Sequence, residues 1–246
     1  MFNTNNRNIK VGEIYRYGDH QTGQADQPLH DGLPNWFYYT ANSANLKNNR
    51  DKYPNLRFQA GIWNPLKITF DGIERVPVII CSTSLHQAGS AETPWTDTID
   101  LSNGTAIYYG DNKPPANPDA SYVRGNNEMI QAYRLQNSEL LDDRLNAPAI
   151  ILVSARDENG PKSGYKVVEG LCLIESYQLV QQDWLGQKFS NFEFHLKLLD
   201  MNSDEGNICM DWIHARRSLE ISNDEANKYA PECWREYVLK GTKKNV

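Results

Sequence analysis

Residues 92–126 read ETPWTDTIDLSNGTAIYYGDNKPPANPDASYVRGN. Ser102-Asn103-Gly104 signals a turn, because Asn and Gly tolerate the positive backbone angles that tight turns require. Thr105 to Tyr109 is β-branched and aromatic and reads as a short strand. Gly110-Asp111-Asn112 breaks that strand. Pro114, Pro115 and Pro118 cannot donate to a ladder, so residues 113–120 read as a loop. The stretch thus delivers the carboxylate of Asp111 from a strand end to a loop mouth. Trp95, Tyr108, Tyr109 and Tyr122 supply rings around it, and Asp97, Asp100 and Arg124 supply further charge. A carboxylate among rings suits a flat ligand with polar edges, and a nucleobase is the obvious candidate. The same residues also serve without a ligand. Aromatics near a turn pack as core or rim, and Asp after Gly forms turns.

Strands and helices flank this stretch on both sides. Upstream, Glu13–Tyr17, the aromatic run Trp36–Tyr39, Leu66–Phe70 and Val76–Ser82 read as strands. The last is almost continuously apolar, which predicts burial on both faces. Downstream, Asn126 or Asn127 is placed to cap a helix carrying Met129, Ile130 and Tyr133 at helical spacing. Leu140, Leu141 and Leu145 continue the helical pattern after a break. Ala147–Ser154 reads as a buried strand, Asp157–Gly164 as a hairpin loop and Tyr165–Val180 as a long strand. Phe189–Leu199 alternates, with Phe192, Phe194, Leu196 and Leu198 on one face and Glu193, His195 and Lys197 on the other, as a half-buried antiparallel strand does. Residues 202–207 read as a polar linker. Helices are expected over Ile208–Leu219 and Asp224–Leu239, the second capped by Asn223 or Asp224 and interrupted by Pro231. The expected class is α+β, with a body at 1–205 and a helical extension or linker at 206–246.

The chain has 246 residues, 39% hydrophobic and 11% aromatic, enough for a large core. No apolar run reaches membrane-spanning length, and the start MFNTNNRNIK lacks the apolar segment of a secretory signal. Cys81, Cys172, Cys209 and Cys233 are scattered without a CxxC pair, which fits a reducing cytoplasm and argues against structural zinc. His20, His30, His86, His195 and His214 show no metal-ligand spacing. The net charge of −6 argues against coating nucleic acid by bulk charge. Lys47, Arg50, Lys52 and Arg57 nevertheless form a local basic segment.

The order of signals resembles a known family. Trp95 to Asp100 gives W-x-D-x-x-D, Gly104 a turn, Tyr108 to Lys113 gives Y-Y-G-D-N-K, and a proline loop leads to Arg124-Gly125-Asn126 and a helix. This order, from about Tyr15 to about Asp200, resembles the N-terminal recognition domain of AspBHI/MspJI-type modification-dependent restriction endonucleases. Trp212 to Arg217 and Ala230-Pro231-x-x-Trp234 look like the segment that follows such domains. The resemblance implies an SRA-like curved β-barrel with helices outside, which binds duplex DNA and flips 5-methylcytosine into a pocket. By motif, Asp111 matches the carboxylate that accepts from the cytosine amino group, which is a donor. Trp95 and Tyr122 match the two rings that sandwich the base. Asn112, Tyr109 and backbone N–H groups of the Gly110–Lys113 turn complete the implied base site. Lys113, Arg124, Lys47, Arg50 and Lys52 are the implied phosphate contacts. No cofactor is implied.

Two other classes fit some of the same residues. Asp97 or Asp100 with Asp111-x-Lys113 is the residue set of a Mg²⁺-dependent nuclease. Trp36–Tyr39 and Trp95 suit a protein- or sugar-binding groove. Relatives carry their nuclease in a separate C-terminal domain, and residues 201–246 are too few for one. A recognition module is therefore expected, with the nuclease in a further or separate domain. The mark on the DNA stays open between 5-methylcytosine, 5-hydroxymethylcytosine, N4-methylcytosine and phosphorothioate.

Overall fold

The structure, a computed structural model, describes residues 8–16, 61–63, 67–85, 89–90, 93–155 and 165–242. The expected strand at Trp36–Tyr39, the cations Lys47, Arg50, Lys52 and Arg57, and the loop at 157–164 lie outside the described residues. An eight-stranded sheet runs in the order β3 (Gly61–Trp63), β6 (Val78–Thr83), β9 (Ala149–Ser154), β10 (Tyr165–Trp184), β11 (Gln187–Leu198), β8 (Thr105–Tyr109) and β7 (Thr98–Asp100). β2 (Ile14–Arg16) pairs with the start of β10. β6 and β9 are parallel, and their apolar runs are buried throughout, as strands covered on both faces require.

Helix α1 (Arg124–Gln136) lies on one face, where Met129, Ile130 and Ala132 pack with Ile79, Cys81, Ile150, Leu152, Ile174 and Phe194. On the other face the pair β1 (Asn8–Lys10) and β12 (Asn207–Cys209) joins α3 (Met210–Arg217) and α5 (Glu232–Lys240). Trp212, Ile213, Trp234 and Val238 share one core there with Ile9, Val78, Ile80, Ile151, Val153 and Leu171. Between these elements sit the hairpin β4 (Ile68–Phe70) and β5 (Ile73–Arg75), and helices α2 (Leu141–Asn146) and α4 (Asn223–Asn227). Among the described residues no helix is long and apolar enough to cross a membrane.

The α+β class is as expected, but the barrel is not closed. Among the described residues β3 and β7 end the ladder without pairing with each other. The sheet still curls around α1, because Ile62 of β3 and Ala106 and Tyr108 of β8 belong to one core cluster. A side chain, not a ladder, bridges the gap. The Ile62 N–H donates to both carboxylate oxygens of Asp111, just past β8, at 3.1 Å each.

Local signals also differ from expectation. α1 begins at Arg124 after Val123 with no side-chain cap. The carboxamide expected to cap it, that of Asn126, accepts from the Asp111 N–H at 2.8 Å instead. Ile208 starts in a strand, not a helix, because β1 offers its edge. Ser222, not Asn223 or Asp224, caps α4 through a capping box with Glu225. Pro231 separates α4 from α5, as its missing N–H demands.

Candidate functional site

Asp111 sits at the seam of the curled sheet, between two glycines. A Cβ built on Gly61 would lie 2.7 Å from its Oδ1, and one on Gly125 would lie 2.6 Å from its Oδ2. The carboxylate therefore lies against bare backbone on two sides, an approach only Gly permits. Gly61 also has φ of +75°, a conformation side chains rarely adopt. Two fully buried asparagines hold the turn behind it. Asn126 donates to the Ala120 carbonyl and to Asn191 Oδ1. Asn191 donates to the Gly110 carbonyl at 2.7 Å. The Gly110 N–H itself donates to the Phe192 carbonyl, so the N–H groups of Gly110 and Asp111 both point into the fold.

Asp97 lies near enough to Asp111 for the two charges to interact. It accepts from the Tyr109 N–H at 2.9 Å. Burial raises its carboxyl, against the Thr83 hydroxyl and the Tyr109 N–H, which favour the anion. Burial likewise pushes the Asp111 carboxyl from its ordinary 3.8 up to about 6, opposed by the Ile62 N–H and reinforced by Asp97. The folded chain thus holds this proton more tightly than the unfolded chain. Stability falls as pH rises from about 4 to about 6, and ionising Asp111 costs on the order of 3 kcal/mol above that window. Asp111→Asn is accordingly expected to stabilise the fold at neutral pH by about 1–3 kcal/mol, with the gain gone near pH 4. Thermal unfolding of both proteins at the two pH values checks this; an equal gain at both rejects it.

The remaining residues singled out in the sequence take varied positions. Trp95 is partly buried, and its indole N–H has no acceptor among the described residues. Lys113 Nζ stands 5.6 Å from the Trp95 ring centroid and 5.8 Å from that of Trp184. Tyr122 ends a 3₁₀ turn (Ala120–Tyr122) just before α1, with its side chain 76% exposed. Arg124, two residues further on at the start of α1, is exposed. Asn112 is buried, and its carboxamide ties the proline loop to the Asn117 backbone and to the Ser190 carbonyl. Strand alternation turns Tyr108 inward and Tyr109 to the opposite face, where its hydroxyl donates to Glu193 at 2.7 Å.

Of the residues of the nuclease reading, Asp97 and Asp111 lie near each other, and Asp100 does not join them. Asp100 is exposed and accepts from the N–H groups and side chains of Ser102 and Asn103, in its own turn. Lys113 faces indoles. Among the described residues no group of three His, Cys, Asp or Glu side chains is arranged to hold a metal ion.

The family model described as restriction endonuclease AspBHI N-terminal matches residues 9–246. The chain belongs to that family. The structure of MspJI restriction endonuclease in complex with a 27-mer oligonucleotide matches this AspBHI-type N-terminal domain with a TM-score of 0.80 and 27% identity, over 96% of this chain and 52% of MspJI. The DNA modification-dependent restriction endonuclease AspBHI matches at 0.62 and 22%, over 96% and 51%. The DNA recognition domain of the cytosine modification-dependent restriction endonuclease LpnPI matches at 0.61 and 17%, over 96% and 90%. The last two are likenesses of fold. The chain spans about half the length of MspJI and AspBHI. No curated protein matches it. For this AspBHI-type domain, the residues that sequence reading missed are Gly61, Ile62, Gly125, Asn191 and Trp184. Gly125 alone left a trace, as the middle residue of the Arg124-Gly125-Asn126 signal before the helix. The others act across long sequence separations.

Proposed function

We propose that this AspBHI-type domain binds duplex DNA carrying a modified cytosine, 5-methylcytosine first, and takes the base out of the stack into the site at Asp111. The observation that carries this is the Asp111 carboxylate, held against bare backbone by Gly61, Gly125 and the Ile62 N–H. Fixing a charge there at a cost to stability makes sense where a donor is to be recognised, and the cytosine amino group is one. Trp95 offers a face for stacking and Tyr122 an exposed ring beside the entrance, while Arg124 and Lys113 supply cations for phosphates. The likeness to MspJI bound to an oligonucleotide supports DNA as the partner. In this reading the chain recognises, a nuclease domain elsewhere cuts, and the setting is the cytoplasm.

The test is a gel shift on matched duplexes differing only in the modification, with Mg²⁺ digestion of the same duplexes. Preference for the modified duplex without cleavage is expected; metal-dependent cutting by homogeneous protein would overturn the reader role. Trp95→Ala is expected to weaken modified-duplex binding by ~1–3 kcal/mol, the scale of one base–aromatic stack. Binding to unmodified duplex should change little, because phosphate contacts supply it. A fluorescent base analogue at the modified position should brighten on binding. A signal that stays that of stacked duplex speaks against extrusion.

A further inference from the structure

A cavity of about 270 Å³ lies between α1, the β4–β5 hairpin and the segment joining α2 to β9. Lys67, Glu128 and Gln131 line it beside the apolar groups of Val76, Leu135 and Pro148, and Asp111 is not among its walls. Glu128 is 8% exposed. Among the described residues its carboxylate accepts no hydrogen bond, and it forms one ion pair, to Lys67 Nζ at 3.4 Å. A buried carboxylate held so loosely is costly unless further donors reach it. Glu74, the other acid of the wall, is mostly exposed and stands 4.0 Å from the same ammonium. The Nη groups of Arg75 are already taken by carbonyls and by Asn223, and the Asn146 carboxamide by the Glu74 carbonyl and Asn223. The carboxamides of Asn127 and Gln131, one turn apart on α1, have no partner among the described residues.

The two oxygens of a carboxylate accept from two donors set side by side, and the Lys67 ammonium adds a donor next to them. The complement is a flat edge with one acceptor followed by two donors. Guanine has that edge in O6, N1–H and its 2-amino group. Adenine and cytosine each set one amine beside a ring acceptor, and uracil sets one N–H between two carbonyls. A guanidinium also pairs its donors, but the Lys67 ammonium repels it. We propose that this cavity binds the base of a guanine nucleotide, with Glu128 accepting from N1–H and the 2-amino group and Lys67 donating to O6. Val76, Leu135 and Pro148 supply apolar surface for the ring, and Gln131 and Asn127 supply further polar contacts. The volume lies just below that of sites for drug-sized ligands, which suits a base. In duplex DNA this edge is taken up by pairing, so the ligand is a free nucleotide. Gly125 and Glu128 stand three residues apart on α1, but the cavity shares no residue with the Asp111 site, and the inference stands apart from the DNA reading.

Titration calorimetry of the whole chain with guanosine monophosphate should show saturable one-to-one binding. Inosine monophosphate lacks the 2-amino donor and should bind roughly tenfold or more weakly, because one carboxylate oxygen is then left unpaired. Adenosine and cytidine monophosphates should not saturate the site. Glu128→Gln turns one acceptor into a donor. It should bind guanosine monophosphate roughly tenfold or more weakly than wild type, and it should prefer xanthosine monophosphate, in which a carbonyl replaces the 2-amino group. A Glu128 that serves the fold alone does not produce that exchange. Asp111→Ala should bind guanosine monophosphate as wild type does. No saturable binding of guanosine monophosphate, equal affinity for inosine monophosphate, or no exchange of preference in folded Glu128→Gln overturns the inference. So does loss of binding in Asp111→Ala, which would put the nucleotide at Asp111. Should Glu128→Gln fail to fold, the guanosine-to-inosine ratio of the wild-type protein decides.

Discussion

Gly125→Ala is expected to remove the preference for modified duplex, at a cost of about 3 kcal/mol or more in binding, because a displaced carboxylate leaves the donor of a buried base unpaired. The new methyl would stand 2.6 Å from Asp111 Oδ2 and 2.9 Å from Ile62 Cβ. Neither neighbour can retreat freely. Asp111 is held by the Ile62 N–H and faces Gly61 on its other side, and Ile62 is part of the core beneath α1. The sign of the stability change is as informative as the binding. Gly within a helix ordinarily costs roughly 0.5–1 kcal/mol relative to Ala, so an unobstructed Gly125→Ala would stabilise the fold. Destabilisation by about 1–3 kcal/mol is expected here instead, the scale of overpacking. Asp111→Ala in the same background should recover part of that loss, because it empties one side of the clash. Denaturant midpoints for the two single variants and the double variant give the coupling between the positions. Additivity, or full modified-duplex preference in Gly125→Ala, would show that the carboxylate is not held as described.

Much of this site was legible before any fold was known, and the limit of that legibility has a physical cause. Thr105–Tyr109 declared itself as a strand through β-branching, Gly110 ended it, and the prolines set the loop, so Asp111 at a strand end followed from local chemistry. The alternation at Phe192, Phe194 and Leu196 likewise gave the burial of β11. What stayed hidden was whatever depends on pairs distant in sequence. Ile62 meets Asp111 across 49 residues and Asn126 meets Asn191 across 65. No period or turn signal encodes such contacts. Asn126 misled for a related reason. Asn before a helical pattern is a good cap in isolation, but a buried Asp111 N–H needed an acceptor more than the solvated start of α1 did. The open seam is the same point at larger scale. A barrel expected to close by a ladder is bridged by one carboxylate, and strand propensities cannot report that.

Arg216 is where the largest loss of stability is expected, about 3–5 kcal/mol for Arg216→Met, the scale of breaking a buried charged network from one side. Its side chain is 1% exposed. Its Nε donates to the Pro77 carbonyl at 2.8 Å, Nη1 to that of Leu145 at 3.0 Å, and Nη2 to those of Val76 and Asn146. Arg75 reaches the other way, donating to the carbonyls of Ala215, Ser218 and Ile221 and to Asn223 Oδ1. Each arginine satisfies carbonyls at the end of a helix it does not itself belong to, α2 for Arg216 and α3 for Arg75, where the helix dipole favours a cation. No carboxylate forms an ion pair with either guanidinium among the described residues. Burial, with Arg75 as a second cause, accordingly lowers Arg216 to about 9, and burial lowers Arg75 to about 10. Met relieves the buried charge and roughly fills the volume, but it abandons four carbonyls, of which the contacts to Val76 and Pro77 are fully buried, and that term should win. Arg216→Lys keeps the charge without the planar fork and should still cost about 2 kcal/mol, because three donors from one point cannot span carbonyls of the segment before β6 and of α2. Urea midpoints should fall for both variants with unchanged slope. Modified-duplex preference, measured in the cold where both remain folded, should survive, since none of these contacts includes Asp111, Trp95 or Lys113. A stability within about 0.5 kcal/mol of wild type for Arg216→Met would mean that water or a shifted backbone reaches those carbonyls, and that the clasp of α3 on α2 and the segment before β6 is dispensable.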